Sequence, residues 1–420
     1  MQILIKNIRV VDPGNIDGIK DIFIKDGKFE AISDPGQIDE PGQDTKIVDG
    51  NGLLAVPGLI DVHVHLREPG QEYKETIESG LKAAAAGGFT AVCSMPNTNP
   101  VNDNGQVTKF IISQGKKADG AKVYPAGAIS QGSGGTNLAE IHDMKQSGIR
   151  AVTDDGLPVS DSQLMRRALE YCKSRDIPVL VHAEDKSLVN GGSMNEGLPA
   201  TKFGIKGIPN AAESVMVMRD LALAELTGAR LHFCHMSTAE SIEAIRQAKK
   251  RGVLVTCETA PHYFTLTDAD IPPYDTNFKM NPPLRSEKDR LAIIEGLKDG
   301  TIDMIATDHA PHHIDEKHVE FDRAAFGIVG LETALPLCLD LVEQGHLSFE
   351  VLVRKMSKSP AELMDINNDI VAGNPADLTL INTETQWTVD PSTFITKGRN
   401  TPFSGRQVKG ATYMTIVDGT

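Results

Sequence analysis

The first part of the chain, up to about residue 53, alternates hydrophobic and polar positions in short runs. The runs ILIKNIRVV, DIFIKDGKFEAIS and TKIVDGNGLL are separated by Gly, Pro and Asp. Alternation with a period of two predicts β-strands, and the residues between the runs predict turns. We therefore expect a small antiparallel sheet at the start of the chain.

From about residue 54 the pattern changes to apolar runs that alternate with amphipathic helical segments. Several predicted helices begin after Ser, Thr or Asn and several end on Gly, as capped helices do. The predicted strands are residues 53–65, 89–97, 121–129, 149–155, 177–185, 229–237, 253–264 and 302–311. The helical segments between them are residues 75–88, 102–120, 138–148, 160–176, 210–228, 238–252 and 286–300.

This repeating order predicts an α/β protein built on a (β/α)8 barrel of the TIM type, because eight strands alternate with helical segments. An open, doubly wound sheet is the alternative. We favour the barrel because no GxGxxG motif, which would indicate a dinucleotide-binding fold, follows the first barrel strand.

Beyond about residue 365 the chain returns to short strand-like pieces, DIVAGNPADLTLINTETQWTV and QVKGATYMTIVDG. Chain termini often lie close together, so both ends can contribute to one domain. We predict a small β-sandwich domain formed by residues 1–53 plus 365–420, with the barrel domain inserted between them as residues 54–364.

The composition limits the partners and the compartment. A hydrophobic content of 40% and a charged content of 24% are typical of a globular protein. The formal charge of −15 argues against nucleic acid or an anionic membrane as a partner. No run approaches the ~20 apolar residues of a membrane span, and we find no secretory signal. Five scattered cysteines without a CxxC pair favour the cytoplasm.

Side chains that can bind a metal fall at the ends of five predicted strands. The carboxyl ends of barrel strands meet at one rim, where active sites lie. A single His or Asp at such a place is most often structural, but the coincidence of five strand ends predicts a metal site. The candidates are His63, His65, Asp154 or Asp155, His182, His235 and Asp308.

The number of candidate ligands favours two metal ions over one. Catalytic zinc usually takes three protein ligands, so six groups suit two ions that share a carboxylate from Asp154 or Asp155. Two such ions can hold a bridging hydroxide and polarise a carbonyl. Asp308 is placed both to contact a metal and to act as general base. Chemistry alone predicts attack on an amide, an ester or a phosphate.

Three further polar residues at the same rim predict an acidic substrate. Arg67 lies just past the first strand, Asn97 ends the second, and His312 follows the eighth. A guanidinium, an amide and an imidazole that converge on one place suit a carboxylate. The alternative for Arg67 is a surface salt bridge with Glu68 or Glu72.

Two interpretations concern the surroundings of this rim. The segment 312–327 is longer than an ordinary βα loop, which predicts a lid, with a plain solvated loop as the alternative. His232, which is predicted to point away from His235 on the same strand, is interpreted as structural.

At this point the motifs carry a resemblance to a known family. DVHVHLREPG, SMPNTNP, VTDDG, VLVHAED, CHMST, KMNPPLR and ATDHAPH occur in this order. The chain thereby resembles the dihydroorotases of the amidohydrolase superfamily, through to the tail motifs GNPADLTLI and RNTPFSG. The resemblance implies a zinc-dependent (β/α)8 barrel with a small β domain from both termini. It also implies the reversible cyclisation of N-carbamoyl-L-aspartate to L-dihydroorotate in pyrimidine synthesis.

The resemblance also implies a role for each matching residue. Asp308 would act as general acid and base. The substrate carboxylate would bind at Arg67, Asn97 and His312, beside His65, and the pyrimidine ring would contact Asn281, Phe326 and Gly327. One or two zinc ions would bind, with the binuclear site favoured: His63, His65 and Asp308 for one ion, His182 and His235 for the other, and Asp155 as the bridge.

The absence of a lysine in VTDDG distinguishes branches of the superfamily. Many relatives bridge their metals with a carboxylated lysine at this place, so the match is to the dihydroorotases that use an aspartate. The alternatives are a related cyclic amidase, such as an allantoinase or a hydantoinase, or a non-catalytic amidohydrolase-like subunit. The resemblance is compatible with a homodimer and with association with aspartate transcarbamoylase, although no residue indicates either. Glu68 has no predicted role.

Overall fold

The computed structural model describes residues 2–39, 42 and 44–420, and four positions of the predicted small domain (1, 40, 41 and 43) lie outside them. Strands account for most of both chain ends and for the centre of the larger domain. Their bounds are β1 (Gln2–Asp12), β2 (Ile16–Lys25), β3 (Lys28–Ser33), β4 (Thr45–Asp49), β5 (Leu54–Pro57), β6 (Leu59–Val64), β7 (Phe89–Ser94), β8 (Lys122–Gly127), β9 (Ala151–Val152), β10 (Val179–Val181), β11 (Met194–Asn195), β12 (Gly207–Ile208), β13 (Leu231–Phe233), β14 (Val255–Thr259), β15 (Met304–Ile305), β16 (Leu378–Thr388) and β17 (Gln407–Ile416).

Helices follow the barrel strands, and each of the seven predicted helical segments contains one. Among the described residues, no helix combines the length and the apolar character needed to cross a membrane. The bounds are α1 (Ile77–Ala86), α2 (Gly105–Gly115), α3 (Ile141–Ser147), α4 (Ser162–Lys173), α5 (Lys186–Val189), α6 (Leu198–Phe203), α7 (Ala211–Thr227), α8 (Ala239–Lys250), α9 (Pro261–Thr265), α10 (Glu287–Asp299), α11 (Ile314–Lys317), α12 (Ala334–Glu343), α13 (Phe349–Val353) and α14 (Ser359–Met364).

The two chain ends share one seven-stranded sheet, in the order β17-β16-β5-β1-β2-β3 with β4 beside β1. β1, β2 and β3 are antiparallel neighbours, and the antiparallel pair β16 and β17 joins them through β5. β4 and β5 run parallel to β1, which the antiparallel pattern did not anticipate. The predicted β domain from both ends of the chain is confirmed.

The larger domain is a nearly closed parallel barrel of eight strands, in the order β6-β7-β8-β9-β10-β13-β14-β15. The predicted barrel is therefore confirmed. The two outermost strands, β6 and β15, meet at a seam. There Val64 forms an isolated parallel bridge with His309, and the His65 amide donates to the His309 carbonyl at 2.8 Å. The seam brings the first and last barrel strands side by side, so residues distant in sequence face one another there.

The first predicted strand, residues 53–65, is divided between the two domains. β5 belongs to the terminal sheet and β6 to the barrel, with Gly58 between them. A Cβ at Gly58 would lie 2.1 Å from the Thr90 hydroxyl oxygen, so the close approach of the chain at Gly58 to Thr90 in β7 requires glycine. Strand-like hydrophobicity continues across the break because both halves are buried.

The start of α1 explains Glu68. Thr76 caps the helix, with its side chain accepting from the Ser79 amide at 3.1 Å. Glu68 accepts a hydrogen bond from the Ile77 amide at 2.8 Å, another amide of the first turn that has no partner within the helix. Glu68 therefore fastens the loop after β6 to the helix that follows it.

Candidate metal centre and substrate pocket

Six side chains from five strand ends converge at the carboxyl rim of the barrel. His63 lies in β6 and His65 directly after it, while the others follow β9, β10, β13 and β15. All six are buried, with no residue more than 8% exposed, so their charges act on each other with little screening by water. The six are His63, His65, Asp155, His182, His235 and Asp308.

One group of ligands forms across the seam of the barrel. The Nε2 atom of His65 lies 3.1 Å from Asp308 Oδ1, and that of His63 lies 3.5 Å from the same oxygen. Asp155 completes the group, with Oδ1 at 3.3 Å from His63 Nε2 and Oδ2 at 3.5 Å from His65 Nε2. Two histidines and two carboxylates thus face one small volume.

The second group shares Asp155 with the first. His182 Nδ1 and His235 Nε2 are 3.0 Å apart. Asp155 Oδ1 lies 3.6 Å from His235 Nε2 and 3.8 Å from His182 Nδ1. Asp155 is thus between the two groups, where a bridging ligand has to be.

The donor atoms fit a divalent cation of the zinc type. Both His63 Nε2 and Asp155 Oδ1 are buried without a hydrogen-bond partner, a costly state for polar atoms that a metal ion would relieve. Burial by itself would raise the pKa of Asp155, but the neighbouring His63 and His235 imidazoles hold that pKa well below its usual range. The carboxylate is therefore ionised, as metal binding requires.

Three residues of this rim have a left-handed backbone that L-residues seldom adopt. The φ angles are 62° at Arg67, 40° at His235 and 49° at Asp308. Such conformations cost about 1–3 kcal/mol each and cluster at functional sites. Each of the three follows a barrel strand, so the turn aims the side chain across the rim.

The structure separates the two aspartates of VTDDG. Asp154 accepts hydrogen bonds from the Ile129 and Ser130 amides at 2.8 and 3.0 Å and from the Ser130 hydroxyl. It is thereby occupied in holding the loop after β8. Only Asp155 enters the cluster of potential ligands.

Arg67 is buried beside the cluster and is not a surface salt bridge. Its Nε donates to the Pro311 carbonyl at 3.1 Å, and it forms no ion pair with any described acid. Glu72 instead accepts from the Gly70 amide at 2.7 Å. Burial lowers the pKa of Arg67 to about 10, which leaves the guanidinium charged at neutral pH. A buried guanidinium that forms no direct ion pair has N–H groups available for an anionic ligand.

His312 contacts Arg67 and is itself oriented by an acid. Its Nε2 lies 3.2 Å from Arg67 Nη2, and its Nδ1 lies 3.2 Å from Glu316 Oε2. Burial and the nearby Arg67 charge lower the pKa of His312 to about 3, so the ring is neutral. With the proton on Nδ1 the ring donates to Glu316 and accepts from Arg67, and with the proton on Nε2 it donates to the Phe326 carbonyl, 2.9 Å away.

In both Asn97 and Asn281, one polar atom of the side-chain amide is held by a hydrogen bond and the other is left available. Asn97 Oδ1 lies 2.9 Å from His65 Nδ1, which leaves the Asn97 NH2 group to donate elsewhere. Asn281 Nδ2 donates to Glu184 Oε1 at 2.8 Å, which leaves its oxygen to accept. The Asn97 NH2 group is therefore available as a hydrogen-bond donor, and the Asn281 oxygen is available as an acceptor.

The predicted ring contacts, Phe326 and Gly327, lie close to His312. The His312 Nε2 atom is 2.9 Å from the Phe326 carbonyl oxygen. Gly327 has φ of 131°, and a Cβ there would lie 2.6 Å from the Ala310 Cβ and 3.2 Å from His312 Nε2. Only glycine allows the loop to approach the rim this closely.

Comparison with known proteins identifies the family. The family model "Dihydro-orotase-like" matches residues 52–241. The chain is 60% identical over 420 residues to a dihydroorotase of Desulforapulum autotrophicum, covering 100% of this chain and 98% of the relative. It is 54% identical over 421 residues to a dihydroorotase of Geobacter metallireducens, covering 100% and 99%. The chain belongs to the dihydroorotase family.

Solved structures of cyclic amidases share the fold of this dihydroorotase-family chain. An L-hydantoinase (dihydropyrimidinase) from Arthrobacter aurescens aligns with a TM-score of 0.87 and 27% identity, covering 100% of this chain and 95% of the hydantoinase. A dihydropyrimidinase from Brevibacillus agri aligns with a TM-score of 0.84 at 24% identity, covering 100% and 94%, a likeness of fold alone. The much higher identity to dihydroorotases favours that family over the hydantoinase alternative.

Sequence reasoning missed Glu258, which lies behind the cluster of potential metal ligands. Glu258 is 1% exposed, and its two oxygens lie 2.9 Å from His63 Nδ1 and 3.0 Å from His232 Nε2. Burial opposes ionisation, yet the two imidazoles lower the pKa of Glu258 to about 2. A carboxylate in the apolar strand β14 was the signal that could have revealed it. His232, interpreted as structural, supports Glu258 from the other side.

Glu184 was also missed, although it stands in the quoted motif VLVHAED. Its Oε2 lies 3.7 Å from His182 Nε2, and its Oε1 accepts from Asn281. Burial opposes ionisation, but the His182 and Asn281 side chains bring the pKa of Glu184 to about 2. Glu184 thereby links a potential metal ligand to a residue of the predicted ring site.

Proposed function

We propose that the protein is a zinc-dependent dihydroorotase, which interconverts N-carbamoyl-L-aspartate and L-dihydroorotate in pyrimidine synthesis. One observation carries the proposal: the buried Arg67, which forms no direct ion pair with a described acid, lies beside six clustered ligand side chains. The family relationship supports the same reaction, since the relatives at 54–60% identity are named dihydroorotases.

The cluster supports a binuclear zinc site. His63, His65 and Asp308 would hold one ion, His182 and His235 the other, and Asp155 would bridge them. When bound, zinc supplies Lewis acidity that polarises a carbonyl and lowers the pKa of water. Glu258 and Glu184 would fix the rings of His63 and His182 so that the opposite nitrogens face the ions.

Asp308 is the proton carrier of the proposed reaction. Burial by itself would raise the pKa of Asp308, but the neighbouring His63 and His65 imidazoles lower that pKa by more than burial raises it. The carboxylate is therefore ionised and can accept a proton. In the hydrolytic direction, water adds to the ring carbonyl carbon and the ring C–N bond breaks. Asp308 takes the proton lost by the water and delivers it to the departing nitrogen, and cyclisation reverses these steps.

The substrate carboxylate would be held by Arg67, Asn97 and His312. The guanidinium has N–H groups not used by Pro311, and the free NH2 group of Asn97 adds a neutral donor. Asn281 and the Phe326–Gly327 segment would contact the pyrimidine ring. These contacts fix the reacting carbonyl near Asp308, which lowers the entropy cost of the step.

Two alternatives differ in the groups they need. An allantoinase or a hydantoinase has no use for a buried arginine that recognises a carboxylate. A non-catalytic subunit has no reason to keep all six ligand side chains clustered. A homodimer, an association with aspartate transcarbamoylase and a cytoplasmic location stay predictions from the resemblance and the composition.

The test is a comparison of substrates on the purified protein, with the zinc content per chain measured in parallel. Dihydroorotate is compared with dihydrouracil, which has the same ring without the carboxylate, and with hydantoin and allantoin. Two charge-assisted hydrogen bonds at about 1.5–3 kcal/mol each predict a preference in kcat/KM for dihydroorotate of roughly 10²–10⁴. Better turnover of allantoin or hydantoin would refute the proposal.

A further inference from the structure

Two buried lysines, Lys317 within the segment 312–327 and Lys279 packed against it, are not among the residues that the proposed reaction uses. Lys317 in α11 is 3% exposed, and Lys279 in the loop before Asn281 is 2% exposed. Neither forms an ion pair with a described acid. Both ammonium groups instead donate to backbone carbonyls, which is an unusual environment for a fully buried charge.

Lys317 joins two loops of the rim. Its Nζ donates to the carbonyls of Ala325 at 2.9 Å and Gly327 at 3.0 Å in its own loop, and to that of Lys279 at 3.1 Å in the loop after β14. Three carbonyl oxygens that converge on one point repel each other unless a cation lies between them. Lys317 supplies that cation.

Lys279 fastens the middle of the same segment. Its Nζ donates to the carbonyls of Phe321 at 2.8 Å and Asp322 at 3.0 Å, and lies 4.3 Å from the centre of the Phe326 ring. The Gly327 amide donates to the Lys279 carbonyl at 3.0 Å. The two lysines therefore hold the segment from both ends of the turn that carries Phe326.

Burying the ammonium groups of Lys317 and Lys279 costs free energy, and the hydrogen bonds to backbone carbonyls have to compensate for that cost. Burial, together with the nearby Lys279 charge, lowers the pKa of Lys317 to about 7, and burial lowers that of Lys279 to about 8. An apolar side chain would fill the same space without this penalty. What lysine adds is a set of directed bonds to the carbonyls of Ala325 and Gly327.

We propose that Lys317 is a positioning residue, which holds the Phe326–Gly327 segment against the substrate ring through the carbonyls of Ala325 and Gly327. The inference rests on the proposed function, in which that segment contacts the pyrimidine ring. Lys317 itself is directed at the backbone and away from the reacting atoms. Its loss should loosen the grip on the substrate while the proton transfer at Asp308 is retained.

The experiment compares Lys317→Met with wild type and with Lys288→Met, a control that removes a lysine whose side chain is 75% exposed on α10. In Lys317→Met we expect the KM for dihydroorotate to rise at least tenfold, kcat to stay within threefold and the zinc content to be unchanged. Chymotrypsin should cleave after Phe321 or Phe326 at least ten times faster. Lys288→Met should match wild type in every measurement.

A KM within twofold of wild type, or a fall in kcat at constant KM, would overturn the inference. If Lys317→Met fails to fold, Lys317→Gln is measured instead, because it keeps a polar group with shorter reach, and it should raise the KM at least threefold. An unchanged KM in that variant also overturns the inference. Absence of dihydroorotate turnover by wild type would refute the proposed function itself, which separates the two failures.

Discussion

Replacing Glu258 by glutamine should weaken metal binding without disturbing the fold. Glutamine has the same shape, so its oxygen can still accept from His63 Nδ1. Its NH2 group can donate to His232 Nε2 once that ring carries its proton on Nδ1. The Thr256 hydroxyl, 2.8 Å from His232 Nδ1, is placed to accept that proton's hydrogen bond. Only the negative charge behind His63 is lost.

The size of the effect follows from the pKa of Glu258. Its change from 4.5 to about 2 is worth roughly 3 kcal/mol at about 1.4 kcal/mol per unit. Two imidazoles share this interaction, so about half of it, or ~1.5–2 kcal/mol, supports His63. That corresponds to roughly a tenfold to thirtyfold weaker site, within the 10–100-fold loss typical when such a partner of a metal ligand is removed.

The assay is zinc competition against a chelator of known affinity, with wild type and Glu78→Gln measured side by side. Glu78→Gln is the matched control, because it neutralises an exposed carboxylate on α1. Thermal unfolding of the zinc-loaded variant shows whether the fold is kept. An unchanged zinc affinity in a folded Glu258→Gln variant would refute the electrostatic role assigned to Glu258.

Four further predictions concern the rim and its support. Asp308→Asn should lower kcat by roughly 10²–10⁴ at saturating zinc, because the proton carrier is lost. Arg67→Lys should lower kcat/KM for dihydroorotate about 10–100-fold and leave dihydrouracil turnover unchanged, since the guanidinium fork is gone. Glu68→Ala should cost about 1 kcal/mol, measured as a lower midpoint of thermal unfolding with unchanged KM. Chelation should abolish turnover and lower that midpoint, and added zinc should restore both.

Each of these has a result that would contradict it. Near-normal turnover by Asp308→Asn would exclude it as the proton carrier, and equal losses on both substrates would mean that Arg67 does not read the carboxylate. A raised KM in Glu68→Ala would place Glu68 in substrate binding. Full activity after complete removal of metal would exclude the proposed centre.

The sequence anticipated the parts of the site that strand order determines. In a parallel barrel, the residues at the carboxyl end of each strand lie at one rim, so His63, His182, His235 and Asp308 could be placed together from the sequence alone. What periodicity cannot resolve is a choice between neighbours. Asp154 and Asp155 differ only in the direction that a two-residue strand and its turn give to each side chain.

The residues that sequence reasoning missed act through other side chains. Glu258 lies in β14 and its partners His63 and His232 lie in β6 and β13, which only the folded barrel brings together. Glu184 lies beside His182 and accepts from Asn281, which is distant in sequence. The division of the first predicted strand at Gly58 could not be predicted either. Hydrophobicity indicates that a residue is buried, but it does not indicate which of the two hydrophobic cores the residue enters. Lys317 lies inside the predicted lid segment 312–327, and no sequence pattern indicated that its ammonium group contacts three backbone carbonyls.

The seam of the barrel has a consequence for how the protein is made. During translation, Asp308 is added about 245 residues after His63 and His65, the residues it faces across the seam. The terminal sheet is completed later still, since β5 pairs with residues 378–381 of β16 and the last strand of the sheet, β17, ends at residue 416. A nascent fragment that ends before residue 308 cannot assemble the cluster of six ligand side chains, and one that lacks β17 cannot complete the small sheet. We expect translation products truncated before Asp308 to carry no hydrolytic centre.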